Sequence, residues 1–361
     1  MHRQTLKQLG LLIFRRVLEP NDPNLPPAAL ISEQNLCKLA NRCRKNMRPT
    51  DPVSTEFEID EQYLSDALND PFYRGTVTVK DRRHVILATD KQLELLAKAK
   101  TWYLDGTFKI VKTPITQLFS IHAFVKFEDV VKQIPLCFVL MSGRRRRDYK
   151  KVLQKVNTLL SEQNVTTFVV DFEAGLWQAL RQVYTDPDIK GCAFHFGQAL
   201  WRKCQEIGLS TACESRDRVY KLQRKFFALP LLPPADIRPE FGKIKEKGQS
   251  ERLAPFFAYV ENRWLTNNIW AVENWSVYGR SVRTNNDVEG WHNRLNRRAK
   301  KGNLTFYLLI TLLFDKANEV PMQCKLIKEK KLQRHQSRQT RATQGRLCAA
   351  WDRYGKKEKY E

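Results

Sequence analysis

Acid is what this sequence is short of. Against 62 Lys and Arg stand 39 Asp and Glu, which leaves a formal net charge of +23. Such an excess costs self-repulsion, so it calls for a polyanionic partner: nucleic acid first, an acidic membrane surface second. A CxxC pair is also missing. The eight cysteines are scattered singly, which fits reduced thiols in the cytosol or nucleus rather than a disulfide framework. No apolar run approaches the roughly 20 residues needed to span a bilayer. The stretch Leu9 to Phe14, closed by Arg15 and Arg16, is too short for a secretory core, lacks a small-residue cleavage site and reads as an amphipathic helix. No internal repeat is evident.

What is present suits a folded protein. Hydrophobic residues make up 42% of 361 and aromatics 11%, enough for two or three domains. Residues 1–100 read as helices and loops, with a breaker segment "EPNDPNLPP" at 19–27, a helical pattern in "SEQNLCKLANRCRKNM" and a helix in "DKQLELLAKAK" capped by Asp90. From 101 the period changes. "TWYLDGTFKIV" alternates, with Trp102, Leu104, Phe108 and Ile110 on a core face and Tyr103, Asp105, Thr107 and Lys109 on the other. "QLFSIHAFVKF" and "KQIPLCFVLMSG" follow as strands joined at Glu128-Asp129. A helix from "RDYKKVLQKVNTLLSEQ", a buried strand "TTFVVDFEAG", a helix "LWQALRQVY" and a strand running into a helix at "IKGCAFHFGQALWRKC" complete the series. Three strands joined by short connections, then strands alternating with helices, predict a mixed α/β sheet flanked by helices.

The expected organisation is a helical N-terminal region at 1–100, a candidate DNA-binding region, and an α/β core at 101–208 and 284–320. A helical insertion at 209–283 has its own small core around Trp264, Trp270 and Trp275. A basic tail occupies 321–361, with 12 Lys and Arg against 4 Asp and Glu from Lys325 onward.

Asp105 in "LDGTF" and Asp171 in "VVDFE" end strands in apolar surroundings. Alone, either is most simply a cap or turn former. A pair at the ends of neighbouring strands is harder to dismiss, because a buried carboxylate is costly unless paired or bound to metal. In "TNNDVEGWHNRLNRR" a helix puts Val288, Trp291 and Leu295 on one stripe and Glu289, His292, Asn293 and Asn296 on the other. Three converging carboxylates suit two Mg²⁺ or Mn²⁺ ions and phosphodiester cleavage. Arg294, Arg297, Arg298 and the turn Arg144, Arg145, Arg146 and Arg147 would then face DNA phosphates. Glu173 is either a spare ligand or a helix-start acid.

The segments "LDGTFKI", "VVDFEAGLWQAL", "GCAFHFGQALWRK" and "RTNNDVEGWHNRLNRR", in this order, resemble the Mutator-like element (MULE) transposases of the RNase H-like DDE superfamily over about 101–315. The resemblance implies an RNase H-like mixed sheet of three antiparallel strands followed by parallel ones, with an all-helical insertion between the second Asp and the Glu. It implies Asp105, Asp171 and Glu289 as catalytic and metal-binding acids of a cut-and-paste DNA transposase. Cys192 and His195 match the family's C-x-x-H motif, and with Asn285, Asn286 and His292 they are expected near the active site. Cys204 and Cys213 could complete a zinc set with Cys192 and His195, but they fall on regular helical sequence, so structural zinc is not expected. DNA is the expected partner, both transposon ends and target, with homo-oligomerisation on DNA and a nuclear location. The alternatives are a domesticated DNA-binding or regulatory protein without cleavage, and a structure-specific nuclease. Related transposases often carry an upstream zinc module. Residues 1–100 hold Cys37, Cys43, His2 and His84 without finger spacing, so either the basic N-terminus reads DNA or such a module is missing from the chain.

Overall fold

The computed structural model describes residues 33–68, 70–209, 218–248, 251–299 and 302–357. The expectations for His2, Leu9 to Phe14, the breaker segment and Cys213 lie outside them. Seven strands form one sheet: β1 (Tyr73–Val79), β2 (Arg82–Leu87), β3 (Thr101–Thr107), β4 (Gln117–Phe127), β5 (Val130–Met141), β6 (Thr167–Val170) and β7 (Asp188–Gly191). Their spatial order is β1-β2-β5-β4-β3-β6-β7. The pairs from β1 to β3 are antiparallel, and β3-β6 and β6-β7 are parallel. This is the expected mixed sheet, enlarged by one hairpin. Residues 73–87 correct the reading of helices and loops. The charged turn at Lys80-Asp81 and the arginines at 82 and 83 break the apolar alternation there, yet β2 pairs along β5 from His84↔Met141 to Leu87↔Phe138.

Helices cover both faces. On one side lie α3 (Asp90–Lys98), α4 (Arg146–Thr158), α5 (Ala174–Val183) and α6 (Ala193–Glu206), whose apolar residues pack on Trp102, Leu104, Phe119, Ile121, Val139 and Phe168. The other side is closed by α2 (Glu61–Ala67), α11 (Asn286–Arg298) and α12 (Phe306–Asn318) over Val85, Leu87, Leu118, Phe138 and Leu140. Successive residues of β5 enter opposite cores, as a period of two requires. A further helix, α1 (Glu33–Asn46), precedes them. The cap of α3 is Thr89 rather than Asp90: its hydroxyl accepts from the Gln92 N–H, and the Gln92 side chain accepts from the Thr89 N–H, a reciprocal capping box.

The insertion contains α7 (Arg218–Ala228), α8 (Pro234–Lys247), α9 (Ala254–Val260), a π turn at Glu261–Leu265 and α10 (Val272–Trp275). It does not keep a core of its own. Trp264, Trp270 and Trp275 are fully buried and continuous with the sheet core. Phe172, just after β6, lies 4.6 Å from Trp264 and 5.6 Å from Trp270 between ring centroids, and Phe196 stacks on Trp275 at 5.0 Å. Each such pair contributes about 0.5–1.5 kcal/mol beyond area burial, so the insertion braces the end of β6, which carries Asp171, and α6, which carries His195.

The basic tail is also corrected. Its first part is α13 (Val320–Lys328), which buries Val320, Cys324 and Ile327 in the sheet core. Arg334 then clamps Asp287 of α11, with its second amino nitrogen 2.7 Å away and Nε donating at 2.8 Å. The last helix, α14 (Arg338–Lys357), anchors Trp351 and Tyr354 on the insertion through Leu231 and Asp236. No described helix is long and apolar enough to cross a membrane.

Candidate active site

Parallel pairing brings the first two acids together. Tyr103 registers with Val169, so two residues further on Asp105 and Asp171 stand side by side where β3 and β6 end. Asp105 is buried, its Oδ1 accepting from the Gly106 N–H at 2.9 Å. Asp171 follows the last residue of β6, accepts from the Phe172 N–H and keeps about half its side chain, 49%, exposed. The face of β3 carrying Asp105 is not open to solvent. Val288 of α11 packs on Tyr103 and Val169, laying the Glu289 helix across it.

Asp105, Asp171 and Glu289 therefore line one cleft of about 910 Å³, together with Glu173, His195, His292, Asn293 and Asn296. The tightest trio differs from the expected one. Ligand atoms of Asp105, His195 and Glu289 lie within 4.8 Å of one another. His195, in the first turn of α6, bonds Glu289 Oε1 through Nε2 at 2.8 Å and points Nδ1 at Asp171 Oδ1, 3.6 Å away. Burial alone would lower the His195 pKa. Its contacts with Cys192 and Glu289, and the Asp171 charge, overcome burial and push it up to about 11. The imidazolium thus sits between two carboxylates as an internal cation. Burial, with Asp105 and Glu289 adding, raises Asp171, though its exposed half lets solvent moderate the effect.

Cys192 precedes α6, and its sulfur accepts the Asn285 N–H at 3.1 Å. It ties the starts of α6 and α11 together. Cys204 is buried in the core and accepts from Gln223. Asn285 is buried without lining the cleft, and Asn286 is exposed at the start of α11. Glu173 occupies the cap position of α5 but does not cap it. It accepts from the Tyr149 hydroxyl at 3.0 Å and faces the cleft, and burial raises its pKa.

Two residues were missed. Ser120 pairs with Asp105 in register, and His122 with Tyr103. His292 Nδ1 lies 3.3 Å from Asp105 Oδ2, its Nε2 lies 2.9 Å from Ser120 Oγ, and His122 Nε2 lies 2.9 Å from the same oxygen. One pattern carries the chain to the carboxylate: His122 donates to Ser120, Ser120 to His292, and His292 to Asp105. The signal was two polar residues on alternate positions of an otherwise apolar strand.

Among the arginines, Arg144 and Arg145 line the cleft with Lys109 and Arg202. Gly175 lets them do so, because a side chain there would press on the Arg144 carbonyl and the Arg146 nitrogen, 3.0 and 3.2 Å from its Cβ. Arg146 and Arg147 are exposed in the first turn of α4, and Arg294 and Arg297 are exposed on α11; none of these four lines the cleft. Arg298 pairs with Glu319 at 3.3 Å. Phe108 is corrected outright. β3 ends at Thr107, and the ring expected in the core is 49% exposed at the cleft wall.

A search among curated proteins returned no match. Residues 101–199, from β3 into α6 and including Asp105, Asp171, Cys192 and His195, match the family model described as the MULE transposase domain, and on that match the chain carries a domain of the MULE transposase family.

Proposed function

We propose that this chain is a DDE-type DNA transposase that cuts, and then joins, phosphodiester bonds at transposon ends. The observation that carries the reading is the convergence of Asp105, Asp171 and Glu289, distant in sequence, on one cleft rimmed by Arg144, Arg145, Lys109 and Arg202. Carboxylates without a lysine or arginine partner, already bridged by an imidazolium, are a donor set suited to Mg²⁺ or Mn²⁺. Asp105, Asp171 and Glu289 would hold the metal. Two divalent ions held there would supply the activation of water and the charge stabilisation of the leaving oxygen that phosphodiester cleavage needs.

The rest falls to the chain. The arginines and Lys109 hold the phosphates, the Ser120–His292 chain fixes the Asp105 carboxylate, and His195 keeps Glu289 and Asp171 from repelling each other. A DNA substrate implies nuclear residence and assembly of more than one copy on the two ends. The test is incubation of the purified protein with Mg²⁺ or Mn²⁺ and duplexes bearing the element's own ends. Cuts at those ends that Asp171→Asn abolishes support the reading. Binding without cleavage would leave a DNA-binding protein only, and cleavage without strand joining a nuclease.

A further inference from the structure

The residue the strand period misplaced is the one that calls for a ligand. Phe108 belongs by alternation to the core face of β3, yet it leaves the sheet three residues after Asp105 and keeps 49% of its surface exposed in the cleft wall. Exposing an aromatic ring gives up roughly 1.5–3 kcal/mol of burial, and departures of this kind concentrate at functional positions. The ring is not idle. The Arg144 guanidinium carbon lies 4.7 Å from its centroid, and Arg145, Lys109 and Arg202 share the same wall. An aromatic face backed by a planar cation, within a basic rim, is the composition that takes nucleic-acid bases: the ring stacks on the base and the cations meet the phosphates. A paired base cannot offer its face from inside a duplex, so the fitting ligand is an unpaired base beside the strand lying over the acids.

We propose that Phe108, backed by Arg144, is a stacking platform for an unpaired DNA base next to the scissile phosphate, so that the cleft prefers frayed or single-stranded ends over intact duplex. The proposal rests on the cleft being a DNA-cleavage site and adds the form of DNA it takes. The platform is independent of sequence, because every base has a stacking face.

The test uses the full chain without divalent metal, so that no DNA is cut. Two probes are compared, a blunt duplex and the same duplex with a short 3′ overhang carrying 2-aminopurine. Wild type binds the overhang about tenfold more tightly, the gain expected of one stacked base, and quenches the fluorescent base. Phe108→Leu loses both the preference and the quench while still binding the blunt duplex, and Phe108→Trp restores both. The side chain is half-exposed, so neither variant disturbs the core. Equal binding of both probes by wild type, or a quench that survives Phe108→Leu, overturns the platform but leaves the DNA site standing. Failure of wild type to bind either probe overturns both readings.

Discussion

Acids in two places meet opposite fates in this molecule. Beside β2, Asp148 is fully buried and fully answered: Arg82 Nε lies 2.9 Å away, His84 Nε2 3.3 Å, and the Arg145 N–H donates at 2.8 Å. In the cleft, Asp105, Asp171, Glu173 and Glu289 crowd together, and among the described residues none forms an ion pair with lysine or arginine; His195 and His292 reach Asp105, Asp171 and Glu289, and the Tyr149 hydroxyl reaches Glu173. The chain has 62 Lys and Arg, so cations are not in short supply. A structural carboxylate carries its countercharge within the fold. A cleft of acids whose direct partners are imidazoles and a phenol, with no ion-paired lysine or arginine among the described residues, is a costly arrangement that a divalent ion would relieve.

The sharpest way to break this contrast is to neutralise one acid from each set. Asp171→Asn should lower DNA cleavage by more than about 100-fold, beyond the loss that removal of an orienting partner gives, with DNA binding retained. Its melting temperature should equal or exceed that of wild type, because a carboxylate raised by burial and like-charged neighbours is easier to fold when neutral. Mn²⁺ should raise the melting temperature of wild type and do so far less for the variant, since only a bound ion stabilises by mass action. Asp148→Ala should do the reverse. It leaves Arg82 with only the exposed Asp81 as a partner and His84 with no carboxylate, and should cost about 3–5 kcal/mol in denaturant unfolding, with the folded fraction still cutting. If Asp171→Asn destabilised as much as Asp148→Ala, the cleft acids would be structural too.

A smaller effect separates positioning from packing. Ser120→Ala removes the hydroxyl that holds the His292 tautomer, frees the Asp105 carboxylate to turn, and should weaken Mn²⁺ binding about tenfold by calorimetry. Unchanged affinity would make the Asp105–His292–Ser120–His122 chain mere filling of a buried polar space.

The same contrast explains what was legible in the sequence. β4 was read at its observed limits, because long alternation announces a strand. Asp105, Asp171 and Glu289 stood out because they interrupt apolar or basic runs. The hairpin at 73–87 was hidden because its turn and flanks are charged, and its pairing depends on a strand more than 40 residues later. The shared aromatic core of the insertion was invisible because helical spacing says which face is apolar, not what covers it. His195 could be placed near the acids, but its bond to Glu289 is a tertiary contact across 94 residues. Ser120 and His122 passed as strand filler because the face opposite the core looked like solvent and is roofed by α11.

The smallest effect concerns His122, buried at the far end of that chain. Burial holds its pKa well below the ordinary value, and the neighbouring His292 and Arg294 push the same way. Ser120 and the Trp291 and His292 rings contact it, and among the described residues no carboxylate pairs with it. In the unfolded chain it takes up a proton near pH 6.5. Below that pH the unfolded state binds a proton the folded state refuses, so the stability gained by keeping His122 neutral is present above about 6.5 and lost as the pH falls. His84 is lowered by burial as well, but Asp148 beside it opposes the shift, so its contribution is smaller. Asp171 and Glu173 act in the opposite sense, being raised, and lose repulsion as they protonate; comparing variants with wild type cancels them. His122→Gln, which keeps an N–H for Ser120, should therefore flatten the fall in melting temperature between pH 7 and 5 by about 2 °C, and His84→Gln by less. Parallel curves for wild type and His122→Gln would mean that His122 already accepts a proton at Nδ1 in the folded state; its Nε2–H would still donate to Ser120, but burial would not be holding the ring neutral.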